Sequence, residues 1–345
     1  MLLSKQIIIK RLPMTTIKDI AKIANVSVAT VSRVVNKGPK VGNKTRQRVQ
    51  KIMDDLGYKP NANARALVTN KNTTIGVIIP DVSDPFFAAL AHGVDNVAKT
   101  NNIQLLISTC SIDADSERNA INLLQERQCQ SIIFHSKKIP DDELAKLCEH
   151  LPGLILINRH IEKYEHRCIW LDNKEGGKIA ARHLVALNHK NIACISSKYS
   201  IDDPVDRLEG FIDELSTHQL SIEDELIVYC SPNQLGGEEA AQQLISSGKS
   251  FTSIFVYNDA MAIGAITTLE DNGLRVPRDV SVIGFDDVLL SQYSRPKLTT
   301  LCYPIIQMAE DAALLSIDLI SKGPKQKVKN RYLPRLIRRE STIDC

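Results

Sequence analysis

Residues 16–36 read TIKDIAKIANVSVATVSRVVN, and this stretch predicts two short helices joined by a tight turn. Thr16 and Ser27 are residue types that cap helices, and Asn25 interrupts the pattern between them. Apolar residues recur at helical spacing on one face of each predicted helix. They are Ile17, Ile20, Ala21, Ile23 and Ala24 in the first helix and Val31, Val34 and Val35 in the second. The stretch is typical of a helix-turn-helix, although an ordinary helical hairpin has the same periodicity.

Charge favours the DNA-binding interpretation over the plain hairpin. The outward face of the second helix carries small, polar or basic residues, namely Val28, Ala29, Thr30, Ser32 and Arg33. Residues 1–72 contain 15 basic and three acidic residues, so this segment carries +12 while the remainder carries −9 and the whole chain +3. A basic module joined to an acidic body is expected where only the module neutralises phosphates.

A third helix and a short connection follow the hairpin. Residues 43–56 place Val49, Ile52, Met53 and Leu56 on one face, and Gly57 can end that helix. The run NANARAL at 61–67 is a capped helical turn, which is too short to persist alone because isolated helices below about 12 residues are marginal in water. It folds only when something holds it, and the alternative is a plain linker.

The rest of the chain alternates short apolar runs with longer amphipathic stretches. TIGVIIP, IQLLIST, SIIFH, GLILIN, NIACIS, ELIVYC, TSIFVYN and VSVIGFDD read as buried strands, each followed by a helix. This pattern predicts parallel α/β sheets. Some 270 residues of this kind suit two similar subdomains that close over a cleft at the carboxyl ends of their strands.

Polar residues at these strand ends are the candidate ligand contacts. Carboxylates accept from hydroxyl groups, an arginine fork donates to them, and an aromatic ring can cover the apolar face of a sugar. The candidates are Asp81, Asp84, Asn158, Arg159, Asn258 and Asp286, with Phe86 and Phe87 as aromatic cover. An Asp after a strand is more often a helix cap, and Asp84 before Pro85 can have that role. We assign Asp259 and Asp287 to structural roles.

Other classes of protein are disfavoured by what the sequence lacks. A length of 345 residues and 43% hydrophobic content predict two or three globular domains. No apolar run approaches the roughly 20 residues that span a bilayer, so we expect no membrane association and a cytoplasmic protein. Because MLLSKQIIIKRLP is not a convincing signal peptide, we expect residues 1–13 to be an upstream or disordered extension before a natural start at Met14.

Chemical motifs of enzymes are also missing from the sequence. The eight cysteines are scattered singly without metal-ligand spacing, so we interpret them as buried hydrophobes in a reducing compartment and predict no metal and no cofactor. Neither a Gly-x-Ser-x-Gly elbow nor a Gly-x-x-x-x-Gly-Lys loop is present. A sugar-transport binding protein would share the α/β body, but it would need a signal peptide and no basic helical module.

The run at 16–36, followed by LGYKPNANARAL, resembles the lactose-repressor family of bacterial transcription regulators. The resemblance implies that the second helix enters the major groove and that the hinge helices of two subunits pair in the minor groove. Val28, Ala29 and Arg33 would then meet base edges, and Leu67 would wedge into the central base step. The other implied DNA contacts are Thr16, Ser27, Thr30, Ser32, Asn36, Lys59 and Asn61.

The resemblance also implies an architecture. A helix-turn-helix domain would span residues 14–60, a hinge helix and linker 61–72, and a periplasmic-binding-protein-like (type I) effector domain 73–345. In that domain, one subdomain would comprise about 73–172 and 304–332, and the other about 173–303 and 333–343. Arg207, Asn258 and Asp286 match the family's effector contacts most securely, beside Asp84, Phe86, Phe87, Asn158 and Arg159.

Further runs, including DVSDPFF, DRLEGF, GFDDVLLSQYSRPKLTT and LIRRES, resemble galactose-responsive members of this family. They imply a repressor of a galactose utilisation operon that is released from its operator when D-galactose binds. Ribose and purine regulators have the same architecture, so the alternatives stay open that the effector is another sugar or a purine and that it acts as a co-repressor. The chain has no leucine-heptad tail, which predicts a homodimer on a palindromic DNA operator.

Overall fold

The computed structural model describes residues 15–36, 38–58, 74–321 and 328–345. It divides into two compact units, Met1–Thr73 and Thr74–Cys345. The predictions for the extension at 1–13, for the hinge at 61–72 and for Lys59, Asn61 and Leu67 lie outside the described residues.

The described part of the first unit consists of three helices, α1 (Ile17–Ile23), α2 (Val28–Val35) and α3 (Asn43–Asp55). Thr16 forms a capping box with Asp19, which holds the start of α1. The Ser27 side chain accepts from the backbone N–H of Thr30 at 3.1 Å and holds the start of α2. Asn25, at φ 49°, makes the turn between the two helices. These local features produce the predicted helix-turn-helix.

One shared core closes this unit. It contains Ile20, Ala21, Ala24, Val31, Val34, Val49 and Met53. The expectation that Ile23 and Leu56 are buried is wrong, because they are 57% and 43% exposed. Ile23 is the last residue of α1, and the next residue, Ala24, takes part in the shared core in its place.

The second unit contains two six-stranded sheets within the described residues. The first sheet consists of β1 (Thr74–Ile79), β2 (Gln104–Thr109), β3 (Ser131–Phe134), β4 (Gly153–Ile157), β5 (Cys168–Leu171) and β11 (Arg331–Tyr332). The second sheet consists of β6 (Ile192–Ser197), β7 (Ile227–Cys230), β8 (Ser253–Val256), β9 (Ser281–Asp286), β10 (Thr299–Cys302) and β12 (Arg335–Ile337). Their orders are β11-β5-β4-β3-β1-β2 and β12-β10-β9-β8-β6-β7, and every pairing is parallel except β10 with β12. The predicted parallel α/β body is confirmed.

Helices cover the sheets, and we call each sheet with its helices a subdomain. The first subdomain contains α4 (Pro85–Thr100), α5 (Ala114–Glu126), α6 (Asp141–His150) and α12 (Ile305–Ile320). The second contains α7 (Asn173–Ala186), α8 (Asp202–Thr217), α9 (Gln234–Ser246) and α10 (Asp259–Asp271), and a short α11 (Leu289–Tyr293) contacts α10. Short 3-10 helices span Glu162–Arg167 and Asp224–Leu226.

Close packing of α7 on α8 fixes the backbone position of Arg207. A Cβ on Gly177 would lie 2.0 Å from the backbone oxygen of Arg207, and a Cβ on Gly210 would lie 2.0 Å from that of Lys174. Two helix backbones can approach this closely only because both positions are glycine. The backbone of Arg207 is thereby pressed against the neighbouring helix and held in place.

Three further features bear on the exclusions made from the sequence. All eight cysteines are free, and six of them are buried. Across the described residues, no helix has the length and apolar character that a bilayer span needs. The same residues contain no group of three or more His, Cys, Asp or Glu side chains that could hold a metal ion.

Candidate functional site

Helix α2 presents one exposed face opposite the buried Val31 and Val34. Val28, Ala29 and Arg33 are exposed on it, and Thr30 and Ser32 are partly exposed. None of the ion pairs within the described residues involves Arg33, so its guanidinium is available to a partner. The surface combines two apolar side chains with a cation and two hydroxyl groups, which suits the edges and phosphates of a DNA groove.

The other predicted DNA contacts in the described region also hold the helices in place. The Thr16 and Ser27 hydroxyls act as caps, and Asn36 Nδ2 donates to Ser32 Oγ at 3.4 Å. Behind α2, Arg46 Nη2 donates to the backbone oxygen of Gly38 at 2.8 Å and ties down the following loop.

A pocket of about 70 Å³ lies between the two sheets of the second unit, at the carboxyl ends of their strands. Seven of the eight predicted effector contacts line it: Asp84, Phe86, Phe87, Asn158, Arg207, Asn258 and Asp286. They come from separate loops and helices of both subdomains. The topology therefore brings together side chains that are up to about two hundred residues apart in the chain.

Arg207 is the polar centre of this pocket. Its Nε donates to Asn173 Oδ1 at 2.9 Å, and its Nη1 donates to the backbone oxygen of Tyr257 at 2.7 Å. The guanidinium carbon lies 3.6 Å from the ring centroid of Phe285, a cation–π arrangement. With two donors and one aromatic face engaged, the guanidinium is fixed in orientation, and its remaining N–H groups can meet a ligand.

The two predicted carboxylates have unusual environments. Burial raises the pKa of Asp286 well above its ordinary value, an effect that nearby Arg207 opposes. Burial also raises the pKa of Asp84, whose Oδ1 accepts from the backbone N–H of Phe86 at 2.9 Å. Asp84 is thus both a helix cap and a pocket residue, and each group offers oxygens to hydroxyl donors.

Asn258 and Asn158 are held by neighbouring groups. Asn258 caps α10 by accepting from the backbone N–H of Met261 at 2.9 Å, and its Nδ2 donates to the backbone oxygen of Pro232 at 3.1 Å. Asn158 adopts φ 55°, and its Oδ1 accepts from Asn173 Nδ2 at 3.3 Å. The amide of Asn258 therefore has a structural role in addition to any contact with a ligand.

An aromatic cluster forms one wall of the pocket. The Phe86 ring lies 4.8 Å from that of Tyr303, and the Phe87 ring lies 5.1 Å from that of His135, both edge to face. Such a wall can cover the C–H face of a sugar ring.

Seven polar residues that line the pocket were not predicted from the sequence: His135, Lys137, Ser197, Tyr199, Asp203, Tyr257 and Tyr303. Within the described residues, both ring nitrogens of His135 and the hydroxyl of Tyr303 are buried without a hydrogen-bond partner. An unpaired buried polar group is costly unless a ligand or water satisfies it. Burial lowers the pKa of His135 well below its ordinary value, so its imidazole is neutral and can accept a hydroxyl hydrogen.

Three of the missed residues form a buried network. Lys137 Nζ lies 2.7 Å from Asp203 Oδ1, and the Tyr257 hydroxyl donates to Asp203 Oδ2. Although burial opposes ionisation, Lys137 and Arg207 hold the pKa of Asp203 below its ordinary value. His135 and Lys137 could have been predicted as pocket residues, because they directly follow the strand SIIF. Asp203 could have been predicted because it lies four residues before Arg207, on the same face of a helix.

Arg159 does not line the pocket, contrary to the expectation. Its guanidinium pairs with Asp141 at 2.7 Å and with Asp202 at 3.2 Å, and it lines a neighbouring cleft. Asn158, one residue earlier, turns into the pocket in a left-handed conformation, and the next side chain consequently points to the cleft.

The two aspartates assigned to structural roles bind groups of the protein itself, although neither is the cap residue of a helix. Buried Asp259 accepts from the Thr300 hydroxyl at 2.5 Å and from the backbone N–H of Val288 at 2.9 Å. Asp287 pairs with Arg339 at 2.5 Å. Asp81 is exposed, accepts from Ser83 and does not line the pocket.

Comparison with known proteins matches both units. Residues 16–61 match the bacterial regulatory proteins of the lacI family, and residues 181–342 match a periplasmic binding protein-like domain. The HTH-type transcriptional regulator GalR of Escherichia coli (strain K12) is 44% identical over 95% of this chain and 96% of its own length. The HTH-type transcriptional regulator GalS of Salmonella typhimurium (strain LT2) is 41% identical over 95% and 96%.

Among solved structures, a lac repressor bound to ONPG in the repressed state superimposes with a TM-score of 0.79 at 25% identity, covering 95% of this chain and 99% of that one. The relatives are transcriptional regulators, which confirms the predicted DNA-binding regulator and disfavours an enzyme. The chain belongs to the lacI family of bacterial regulatory proteins.

Proposed function

We propose that this regulator is a homodimeric repressor of a galactose utilisation operon, released from a palindromic operator when D-galactose occupies the pocket around Arg207. The observation that carries the proposal is the pocket itself, where a fixed guanidinium, two carboxyls and an aromatic wall converge between two subdomains. The runs that resemble galactose-responsive members support the choice of sugar. As a DNA-bound regulator, the protein would act in the cytoplasm.

The chemistry of the pocket favours an uncharged, hydroxyl-rich ligand. Asp84, Asp203 and Asp286 face only two cations, Lys137 and Arg207, among the lining residues. A phosphate or carboxylate is mainly an acceptor and would lie against these acceptor oxygens, whereas hydroxyl groups can donate to them. His135 and Tyr303 add an acceptor and a donor without partners, and sugar hydroxyls supply complements to both.

The size of the pocket favours a single ring. Its volume of about 70 Å³ is small beside the roughly 300–1,000 Å³ of pockets that hold drug-sized ligands. A single sugar ring suits such a small pocket better than a disaccharide does.

On the DNA side, we propose that Arg33 binds a guanine edge and that Val28 and Ala29 contact thymine methyl groups. Thr16, Ser27, Thr30, Ser32 and Asn36 would position the phosphate backbone. By resemblance, Lys59 and Asn61 would join them at the hinge, and Leu67 would wedge into the central base step. Residues 14–60 would form the DNA-binding domain, 61–72 the hinge and 73–345 the effector domain.

Coupling between sugar and DNA has to be reciprocal. If D-galactose weakens operator binding, the operator must weaken D-galactose binding by the same factor, usually about 5- to 150-fold. Equal sugar affinities for free and operator-bound protein would contradict the proposal.

The decisive experiment measures operator binding at fixed salt with D-galactose, D-glucose, D-ribose, galactose 1-phosphate and a purine base. At this fixed salt concentration, we expect D-galactose to release the protein from the operator and galactose 1-phosphate to have little effect. Tighter binding with any effector would instead identify a co-repressor, and release by another sugar or a purine would replace the proposed inducer.

A further inference from the structure

Three basic side chains of the first subdomain meet one short segment of the second. Lys137 and Lys138 follow strand β3, and Arg159 follows strand β4. Their partners lie within residues 200–203, at the start of helix α8. The contacts therefore join the two subdomains at a single place.

The contacts differ in burial. Lys137 Nζ lies 2.7 Å from Asp203 Oδ1, and both side chains are less than 10% exposed. Lys138 Nζ donates to the backbone oxygen of Ser200 at 2.8 Å. Arg159 Nη1 lies 3.2 Å from Asp202 Oδ2, at the exposed end of the row. The row runs from the buried pocket to solvent.

The segment that these contacts hold lies next to the pocket. A cleft of about 440 Å³ lies beside the pocket, and Asn158, Ile201 and Asp203 line both. Residues 200–203 thus form part of the wall between the pocket and this cleft. A ligand that leaves on this side has to move the segment that the three cations hold.

We infer that Lys137, Lys138 and Arg159 form an electrostatic latch on residues 200–203 that holds the subdomains closed over the pocket and slows the escape of ligand. This inference rests on the proposed function only in taking an uncharged sugar as the ligand. Lys138 and Arg159 do not line the pocket, so they act as positioning residues rather than as ligand contacts.

The latch predicts that the affinity of the pocket for an uncharged sugar depends on the salt concentration. An uncharged ligand has no Coulomb interaction with the protein for salt to screen, whereas exposed ion pairs weaken as ionic strength rises. If the Arg159–Asp202 pair helps to close the pocket, the affinity for an uncharged sugar falls with added salt. A pocket without such a latch would bind the sugar equally at low and high salt.

Arg159 offers a matched pair of test positions. Its two acidic partners are similarly exposed, Asp202 at 68% and Asp141 at 59%. Asp202 belongs to the second subdomain, whereas Asp141 belongs to the first, as Arg159 does. Asp202→Asn therefore removes the bond between subdomains, and Asp141→Asn removes a bond within one subdomain while changing the net charge equally.

The test measures D-galactose release by stopped flow on the full-length protein at two salt concentrations. Since exposed ion pairs are weak, we expect Asp202→Asn to speed release about threefold and to reduce its salt dependence. Lys138→Met combined with Asp202→Asn should speed release about tenfold. Asp141→Asn should leave the rate near that of the unchanged protein. Equal effects of Asp202→Asn and Asp141→Asn would overturn the latch.

A second readout needs no sugar. Trp170, the single tryptophan of the chain, lines the cleft together with Arg159 and Asp202. Opening of the latch should expose its indole, so acrylamide should quench the fluorescence of Asp202→Asn more than that of Asp141→Asn. If D-galactose does not bind the unchanged protein, the proposed inducer is wrong, yet the quenching comparison still decides on the latch. Identical quenching of the two variants would contradict it.

Discussion

The guanidinium of Arg207 lies 3.6 Å from the carboxylate of Asp286, and the two side chains are only 4% and 10% exposed. One comes from helix α8 and the other from the end of strand β9. At this distance the pair is an ion pair without a tight hydrogen bond, so each group keeps capacity to bind a ligand. We regard this pair as the point where a sugar hydroxyl would be recognised.

Arg207→Ala should abolish the response to D-galactose and leave operator binding intact. The change removes the fixed donor of the pocket and leaves its buried acceptors on Asn173 and Tyr257 without a partner, which should also lower the free energy of unfolding by about 3 kcal/mol. Operator binding with and without sugar tests the first effect, and thermal unfolding tests the second. Normal release by sugar in this variant would remove Arg207 from the proposed pocket contacts.

Tyr303→Phe should weaken D-galactose binding about tenfold, equivalent to about 1.4 kcal/mol, without lowering stability. The Tyr303 hydroxyl is buried and, within the described residues, has no partner, so the folded protein loses no hydrogen bond. Titration calorimetry and chemical denaturation measure the two quantities. Tyr332→Phe is the matched control, because its hydroxyl donates to Asp311 outside the pocket and its loss should lower stability alone.

Arg33→Ala should weaken operator binding by about 1 to 3 kcal/mol and relax preference at one base pair. Arg33 is exposed on α2 and free to form a bidentate contact with guanine. Binding to operators with each base pair varied in turn measures the preference. Lys51→Ala, at an exposed position on α3, should weaken all operators equally if it has any effect. A uniform loss for Arg33→Ala would contradict base reading.

Asp259→Asn should remove part of the pH dependence of stability. Burial raises the pKa of Asp259 from 3.8 to about 7, so between these values the folded protein binds more protons than the unfolded chain. The stabilising contribution of this group is therefore complete below about pH 4 and is lost as pH rises through 7. Tm measured at pH 5 and pH 8 should fall less in Asp259→Asn than in the unchanged protein. An equal fall in both would contradict the shifted pKa.

Local patterns were sufficient for the elements of the first unit. Capping by Thr16 and Ser27 and the spacing of Val31 and Val34 depend on residues three or four apart, which a sequence displays directly. Strands β5 (Cys168–Leu171) and β10 (Thr299–Cys302) were not predicted, because each is a four-residue segment of mixed residue types without a clear period. The burial of Ile23 was overestimated, because periodicity alone does not show how wide the buried face of a helix is.

The sequence by itself determined the class of protein, the helix-turn-helix and six of the residues that line the pocket, because these depend on local spacing and on strand ends. Arg207 was predicted from the resemblance to the lactose-repressor family. Only the tertiary structure decided that Arg159 turns away from the pocket and that His135 and Tyr303 face into it. It alone joined Lys137 to Asp203, 66 residues later in the chain. Such pairs form because parallel strands bring their carboxyl ends to one edge, and a sequence does not specify which side chains from two sheets will then meet.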